Sequence, residues 1–330
     1  MPLPITKGEF NRLGDRLIAH ENPSEADLAV LATALAAYQE VLGQVKVHLR
    51  DLGFAPTTRP KTTPTITDKL RRTHGMELSR IQDLAGARIT VRNLTAQDEA
   101  KDKISEFYTA QGCRWREIDR RKDPRFGYRA MHLVVHFDGL PVEIQIRTEL
   151  QDSWAQIFER LGDRWGRGIR YGQDPENPES IVRSGKSVYT RRELLALLMT
   201  LSNTIWSVEL QRRAQEAIRH LLAELDSVLQ QLQSRASPEL SASKIPPDVV
   251  AGLNSIAFLK TRSEDLDTED RELLAMAPSD LTQAQLRRLL EVSVGLLTHD
   301  NHVLAGKVAT TEQQLRDILH VVAGATDEGA

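Results

Sequence analysis

The segment from Tyr128 to Arg147 constrains this chain most, because it reads as a β-hairpin whose register can be counted. Asp138-Gly139 is a two-residue turn signal. A type I′ turn needs positive φ at both central positions, which Asp and Gly tolerate. Counting outward pairs Phe137 with Leu140, Val135 with Val142 and Leu133 with Ile144, so these apolar side chains share one face. Period-two alternation puts His132, Val134 and His136 on the other face, with Glu143, Gln145 and Arg147. One face builds core. The other gathers an imidazole, a carboxylate, an amide and a guanidinium, the composition of a cleft that handles phosphate and metal.

Composition bounds what can surround such a hairpin. A chain of 330 residues, 40% hydrophobic and 27% charged, is long enough for two domains with separate cores. The single cysteine, Cys113, excludes a disulfide framework or a cysteine-rich zinc site and points to a reducing, cytoplasmic compartment. No basic-then-apolar signal segment opens the chain, and no apolar run approaches membrane-spanning length, so no membrane partner is expected. A net charge of −3 argues against a protein that coats nucleic acid. Locally the balance differs: from Arg114 to Arg129 there are seven basic and three acidic residues, a basic patch just ahead of the hairpin.

The order of elements suggests an α+β fold. Thr6–Glu9 and Ser24–Asp27 look like helix N-cap boxes, and the second helix is expected from about Ser24 to Arg50, with Gly53 stopping it. Pro56 to Pro64 is extended. Short helices are expected over 66–72 and 78–84. A strand at 88–92, a helix over 96–111, a strand at 115–119, the hairpin, and a helix over 149–164 give β-α-β-β-β-α, a small mixed sheet flanked by helices. Residues 172–186 read as loop. A long helix follows over 190–233, with Leu194, Leu197, Leu198, Leu201 and Ile205 as its apolar face, then a Ser- and Pro-rich linker over 234–247. Short helices such as 280–297 and a frayed tail over 323–330 complete the chain. The corresponding domain division is 1–170, 171–235 and 236–330.

Two further constellations join the hairpin. Arg59-x-Lys61-x-x-x-Thr65-Ile66-x-x-Lys69 sets cations in an extended segment ahead of a hydroxyl suited to helix capping and a lysine one turn inside. That is a plausible triphosphate grip, set against the plainer reading of a solvated basic linker. Asp83-Leu-Ala-Gly86-Ala-Arg88 places an acid, a close turn and an arginine at a strand start. Asp83 suits magnesium and Arg88 suits stacking on a base. Alone, each is as readily a surface feature. Together with Glu143 as a second carboxylate and Tyr128 as a stacking aromatic, they supply the parts of Mg²⁺-dependent phosphoryl-type transfer.

In order and spacing, Arg59 to Lys69, Asp83 to Ile89, Gly127 to His132 and Glu143 to Thr148 resemble the motifs of RelA/SpoT-type synthetase domains, over roughly Thr6 to Gly168. The resemblance implies a nucleotidyltransferase-like mixed sheet and transfer of the β,γ-pyrophosphate of ATP to the 3′-hydroxyl of GDP or GTP, giving the alarmone (p)ppGpp. It implies that Arg59 and Arg88 sandwich the adenine and that Lys61, Thr65 and Lys69 meet ATP phosphates. Asp83 and Glu143 would coordinate Mg²⁺, one of them helping to deprotonate the attacking hydroxyl. Tyr128 would stack on the acceptor base, with His132, Gln145 and Arg147 steadying phosphates or acceptor.

The chain departs from the family's pattern in places. Thr65 stands for the usual serine, and the loop Pro124-Arg-Phe-Gly-Tyr128 is one residue short, with Phe126 for asparagine and Arg125 or Lys122 for the lysine. Asp152 and Arg164-Trp165 replace the histidine-rich end of the last motif. About fifty residues precede Arg59, and the lone His299-Asp300 pair reads as a solvated helix end, so synthesis without hydrolysis is expected. Two alternatives stand beside this reading. One is a toxic relative modifying the CCA end of tRNA or an adenine nucleotide, favoured by Thr6 to Gly14 and the basic run. The other is a non-catalytic nucleotide-sensing module. A second copy of the chain, or a regulatory partner such as an antitoxin, is open.

Overall fold

The structure, a computed structural model, describes residues 3–19, 23–234, 259–276 and 281–327. The expected linker over 234–247 lies almost wholly outside these residues. Contacts divide the chain into two compact units, Met1–Trp206 with Asp317–Ala330, and Ser207–Arg316.

The first unit is built on a mixed sheet of five strands: β1 (Thr57–Pro60), β2 (Ala85–Val91), β3 (Arg114–Asp119), β4 (Met131–Phe137) and β5 (Leu140–Thr148), in the order β1-β2-β5-β4-β3. The β4–β5 hairpin has the counted register, with Leu133 opposite Ile144 and Val135 opposite Val142. Its turn residues Asp138 and Gly139 have φ of 49° and 78°, as a type I′ turn requires. β2 runs parallel to β5, so Gly86 faces Glu143 and Arg88 faces Gln145. That single parallel pairing brings the second constellation onto the hairpin's polar face. The crossover between them contains α4 (Leu94–Ala110).

The apolar face carries Leu133, Val135, Val142 and Ile144, all fully buried. α1 (Lys7–Ala19), α2 (Glu25–Asp51) and α4 supply the rest of that core. Thr6 and Glu9 form the first expected cap box, and the Ser24 hydroxyl accepts from the Asp27 amide. α2 corrects one expectation: by length and composition it could cross a membrane, with hydropathy 1.3 over its most apolar window. Here its stripe of Leu31, Tyr38, Leu42 and Val45 packs into the sheet's core. α3 (Thr63–Arg72) is capped at Thr62 rather than at Thr65, and only a 3₁₀ turn, Leu78–Arg80, forms where a helix over 78–84 is expected. α5 (Glu149–Trp165) leaves β5 through a capping box of Thr148 and Gln151 and lies on the polar side of the sheet.

Beyond α5 the structure differs from the sequence reading. The expected loop over 172–186 contains β6 (Ile181–Ser184), which turns at Gly185 into β7 (Ser187–Thr190). Both are too short for alternation to show. β8 (Thr326–Asp327), in the expected frayed tail, pairs with β6. α6 (Arg191–Ser234) is the long expected helix, and Leu194, Leu198, Leu201 and Ile205 are its buried face in this unit.

The second unit contains the end of α6, α7 (Thr268–Ala275) and most of α8 (Gln283–Ala323). Its core includes Leu225, Leu259, Leu266, Leu273, Leu289, Leu290 and Leu297. Short helices are expected there, yet α8 runs unbroken for 41 residues. The expected end at Leu297 is passed without a break, with Leu289, Leu290 and Leu297 of this helix buried in the core. Asp300 of the His299-Asp300 pair binds Arg262 at 2.7 Å.

Candidate active site

The polar face of the sheet forms one hydrogen-bonded network. His132 Nδ1 lies 3.0 Å from Glu143 Oε1, and His132 Nε2 lies 2.9 Å from the Tyr128 hydroxyl. Arg147 donates to that hydroxyl through Nε at 3.3 Å and Nη2 at 3.2 Å. Gln145 donates to Glu143 Oε2 at 2.9 Å and accepts from Arg147 at 3.0 Å. A carboxylate only accepts, so the Nδ1 proton points at Glu143. Arg147, Tyr128, His132 and Glu143 thus form one continuous hydrogen-bonded chain.

Asp83 forms a second cluster at the turn into β2. Lys61 and Lys69 reach its two oxygens at 2.5 and 2.7 Å. Lys61 follows β1, whose antiparallel pairing with β2 sets it there, and its amide donates to Leu84 O. Lys69 projects from α3. Burial pushes the Asp83 carboxyl up, but Lys69 and Lys61 outweigh burial and hold it below its ordinary value. Burial likewise pushes Glu143 up, and the bonds from His132 and Gln145 reverse that, while the charge of Asp83 opposes them. Both carboxylates are thus held ionised, and each lies within the other's field.

The third cluster was not legible in the sequence. Asp152 and Glu159, seven residues apart on α5 and hence on one helix face, meet the arginines. Asp152 binds Arg147 at 3.0 Å and lies 3.6 Å from Arg88. Glu159 takes Arg88 at 3.1 Å on one oxygen and Arg59 at 3.8 Å on the other. The i, i+7 acidic pair was the available signal.

Of the residues singled out from sequence, Arg59, Lys61, Lys69, Asp83, Arg88, Tyr128, His132, Glu143, Gln145 and Arg147 thus lie in these three clusters. Thr65 sits one turn into α3, its hydroxyl donating to Thr62 O at 2.8 Å and accepting from the Thr62 amide at 3.1 Å. Arg125 is exposed, and its carbonyl accepts from the Tyr128 amide. Tyr128 is half-buried with its hydroxyl inside the network, and burial raises its pKa. The basic run is not one exposed patch: Arg121 and Arg129 are buried, Arg121 against Asp119 and Asp98.

Asp83 and Glu143 suit a hard divalent ion, being ionised oxygen donors, one at the turn into β2 and one on the neighbouring β5. Among the described residues no group of three or more His, Cys, Asp or Glu forms a metal cluster. An ion there would complete its shell with substrate oxygens and water, as magnesium commonly does.

Residues 58–161 match the family model described as a region found in RelA / SpoT proteins. Over those residues the chain is similar to a RelA/SpoT region. Uncharacterised proteins of Mycobacterium tuberculosis and Mycobacterium bovis are 40% identical to it over 179 residues, 52% of this chain and 64% of theirs. The chain therefore spans less than two thirds of these curated relatives. Among solved structures, small alarmone synthetase 1 of Bacillus subtilis is 22% identical, covering 58% of this chain and 96% of that one with a TM-score of 0.41. A GTP pyrophosphokinase family protein of Streptococcus pneumoniae is 23% identical, covering 52% and 87% with a TM-score of 0.39. All three clusters fall within the RelA/SpoT region, Glu159 two residues before its end.

Proposed function

We propose that the protein is an ATP-dependent pyrophosphokinase acting on the 3′-hydroxyl of GDP or GTP. The observation that carries this reading is the pairing of the Lys61–Asp83–Lys69 cluster with the Glu143–His132–Tyr128 chain on one sheet face. The first offers point charges for a triphosphate and a carboxylate for a metal. The second offers an ionised carboxylate backed by a hydrogen-bonded imidazole. On binding ATP, Lys61 and Lys69 exchange Asp83 for phosphate oxygens, which frees Asp83. Magnesium held by Asp83 and Glu143 would offset charge on the phosphates.

The acceptor oxygen bonds to the β-phosphorus, the bond to the α,β-bridging oxygen breaks, and AMP leaves with that electron pair. We assign the released proton to Glu143, whose carboxylate is backed by the hydrogen-bonded His132–Tyr128 pair. Arg59 and Arg88, tethered through Glu159, are assigned to the adenine. Thr65 is assigned to the ATP phosphates, and Tyr128, with Arg125, His132, Gln145 and Arg147, to the acceptor side. The proposal covers synthesis only.

Phe126 favours a second reading. It is 45% exposed in the loop ahead of Tyr128, at a φ of 50°. An exposed aromatic beside the acceptor side suits a further base, as in the 3′ end of tRNA. Incubation with γ-labelled ATP plus GDP, GTP or tRNA separates the two. Label on guanine nucleotide is expected; label on tRNA alone overturns it in favour of the second reading. Glu143→Gln should lower transfer about a thousandfold while still melting cooperatively, somewhat below the parent protein. Transfer that persists in this variant refutes the role of Glu143.

A further inference from the structure

The loop that presents Tyr128 is fastened to a helix outside the RelA/SpoT region. Ser202 of α6 donates its hydroxyl to Gly127 O at 2.5 Å and accepts from Arg129 Nε at 3.3 Å. Asn203 Oδ1 accepts from Arg129 Nη2 at 2.8 Å, and the Arg129 guanidinium lies 5.4 Å from the centroid of the Trp206 ring. The third Arg129 nitrogen, Nη1, donates to Arg121 O. From the other side, Trp154 of α5 donates to Leu198 O at 2.7 Å. A Cβ on Gly127 would stand 2.7 Å from the Trp154 ring and 3.0 Å from Met199 Sδ, so the backbone is in close contact there. The residues on either side of Tyr128 are therefore both held by one turn of α6.

Gly127 and Phe126 both have positive φ, a conformation that surrounding contacts must hold in place. Within the loop, the amide of Tyr128 bonds only to Arg125 O among the backbone pairs of the described residues. The Tyr128 hydroxyl is bound by His132 and Arg147, while the backbone on either side of it is bound to α6.

We propose that Ser202 and Asn203 are positioning residues that fix the Gly127–Arg129 backbone, and through it Tyr128, for the acceptor. The proposal rests on the pyrophosphokinase reading for its kinetics, but not for its structural half. A KM that splits by substrate follows. ATP meets Lys61, Lys69, Arg59 and Arg88, none of which bonds to α6, whereas the acceptor meets Tyr128.

The test compares Ser202→Ala, Asn203→Ala and Ser202→Thr in the full chain. Amide hydrogen exchange is followed over residues 125–130, and KM is measured for ATP and for the acceptor. Asn203 is exposed, so its variant is expected to fold even where Ser202→Ala does not. Both alanine variants should speed exchange in 125–130 and raise the acceptor KM about tenfold, with the ATP KM unchanged. Ser202→Thr restores the hydroxyl and should restore both, its methyl entering a small void lined by Gly127, Arg129, Trp154 and Ile205. Unchanged exchange in Asn203→Ala, or a KM that rises equally for both substrates, overturns the proposal. If the parent protein transfers nothing, the pyrophosphokinase reading falls, and exchange alone decides whether α6 holds the loop.

Discussion

Each half-buried acid in this site has its charge answered by a named neighbour, and that has a consequence in pH. Asp83 and Glu143 sit below their ordinary values of 3.8 and 4.5, because bonds and charges from Lys69, Lys61, His132 and Gln145 outweigh burial. A carboxyl with a depressed folded pKa binds protons more weakly folded than unfolded. Its stabilisation is complete above the unfolded value and is lost as pH falls through the folded one. Thermal stability should therefore decline as pH drops from 4.5 through 3.8 and below. Asp83→Asn should flatten that decline relative to the parent protein in melts taken between about pH 3 and 6. At neutral pH the same substitution leaves Lys61 and Lys69 facing each other without a counter-charge, so its melting temperature should be lower there.

Among the elements, α5 does what no strand does: it supplies the acids that orient the arginines. Glu159 spans Arg88 and Arg59 and lies 3.6 Å from Arg147, so Glu159→Gln should raise the ATP KM about tenfold, equivalent to ~1.4 kcal/mol, and the acceptor KM by less. Steady-state kinetics with each substrate varied in turn reads this. α5 also shows where sequence stops being legible. The hairpin was readable to the residue, because a two-residue turn sets register and period two sets the face. The parallel β2–β5 pairing comes from long-range packing, and no local pattern announces it. Thr65 illustrates a smaller limit: a hydroxyl before a helix was visible, but the Thr62–Thr65 reciprocity that makes Thr62 the cap depends on backbone geometry. Neither Ser202 nor Asn203 bears any local mark, since what each does is set by a loop more than 70 positions earlier.

On the scale of the whole molecule, the first unit is assembled from distant parts of the chain. Val182 and Ser184 of β6 are buried, and the Ser184 hydroxyl bonds to Val321 O. Removing residues 317–330 should expose that edge and lower the melting temperature of the first unit, read by scanning calorimetry against the full chain.

The reach of that last pairing bears on the order of folding. The five strands of the main sheet lie within residues 57–148, so their pairings close short or moderate loops. The bond from Ser184 to Val321 joins positions 137 residues apart. Closure of that length costs little more entropy than the pairings of the main sheet, but it waits for the chain between to be made. The sheet with its carboxylates and lysines can thus be in place on a growing chain while β6 still lacks its neighbour. A nascent chain halted before residue 317 would then hold the candidate site yet leave a strand edge open to the wrong partner, which is where misassembly during synthesis should begin.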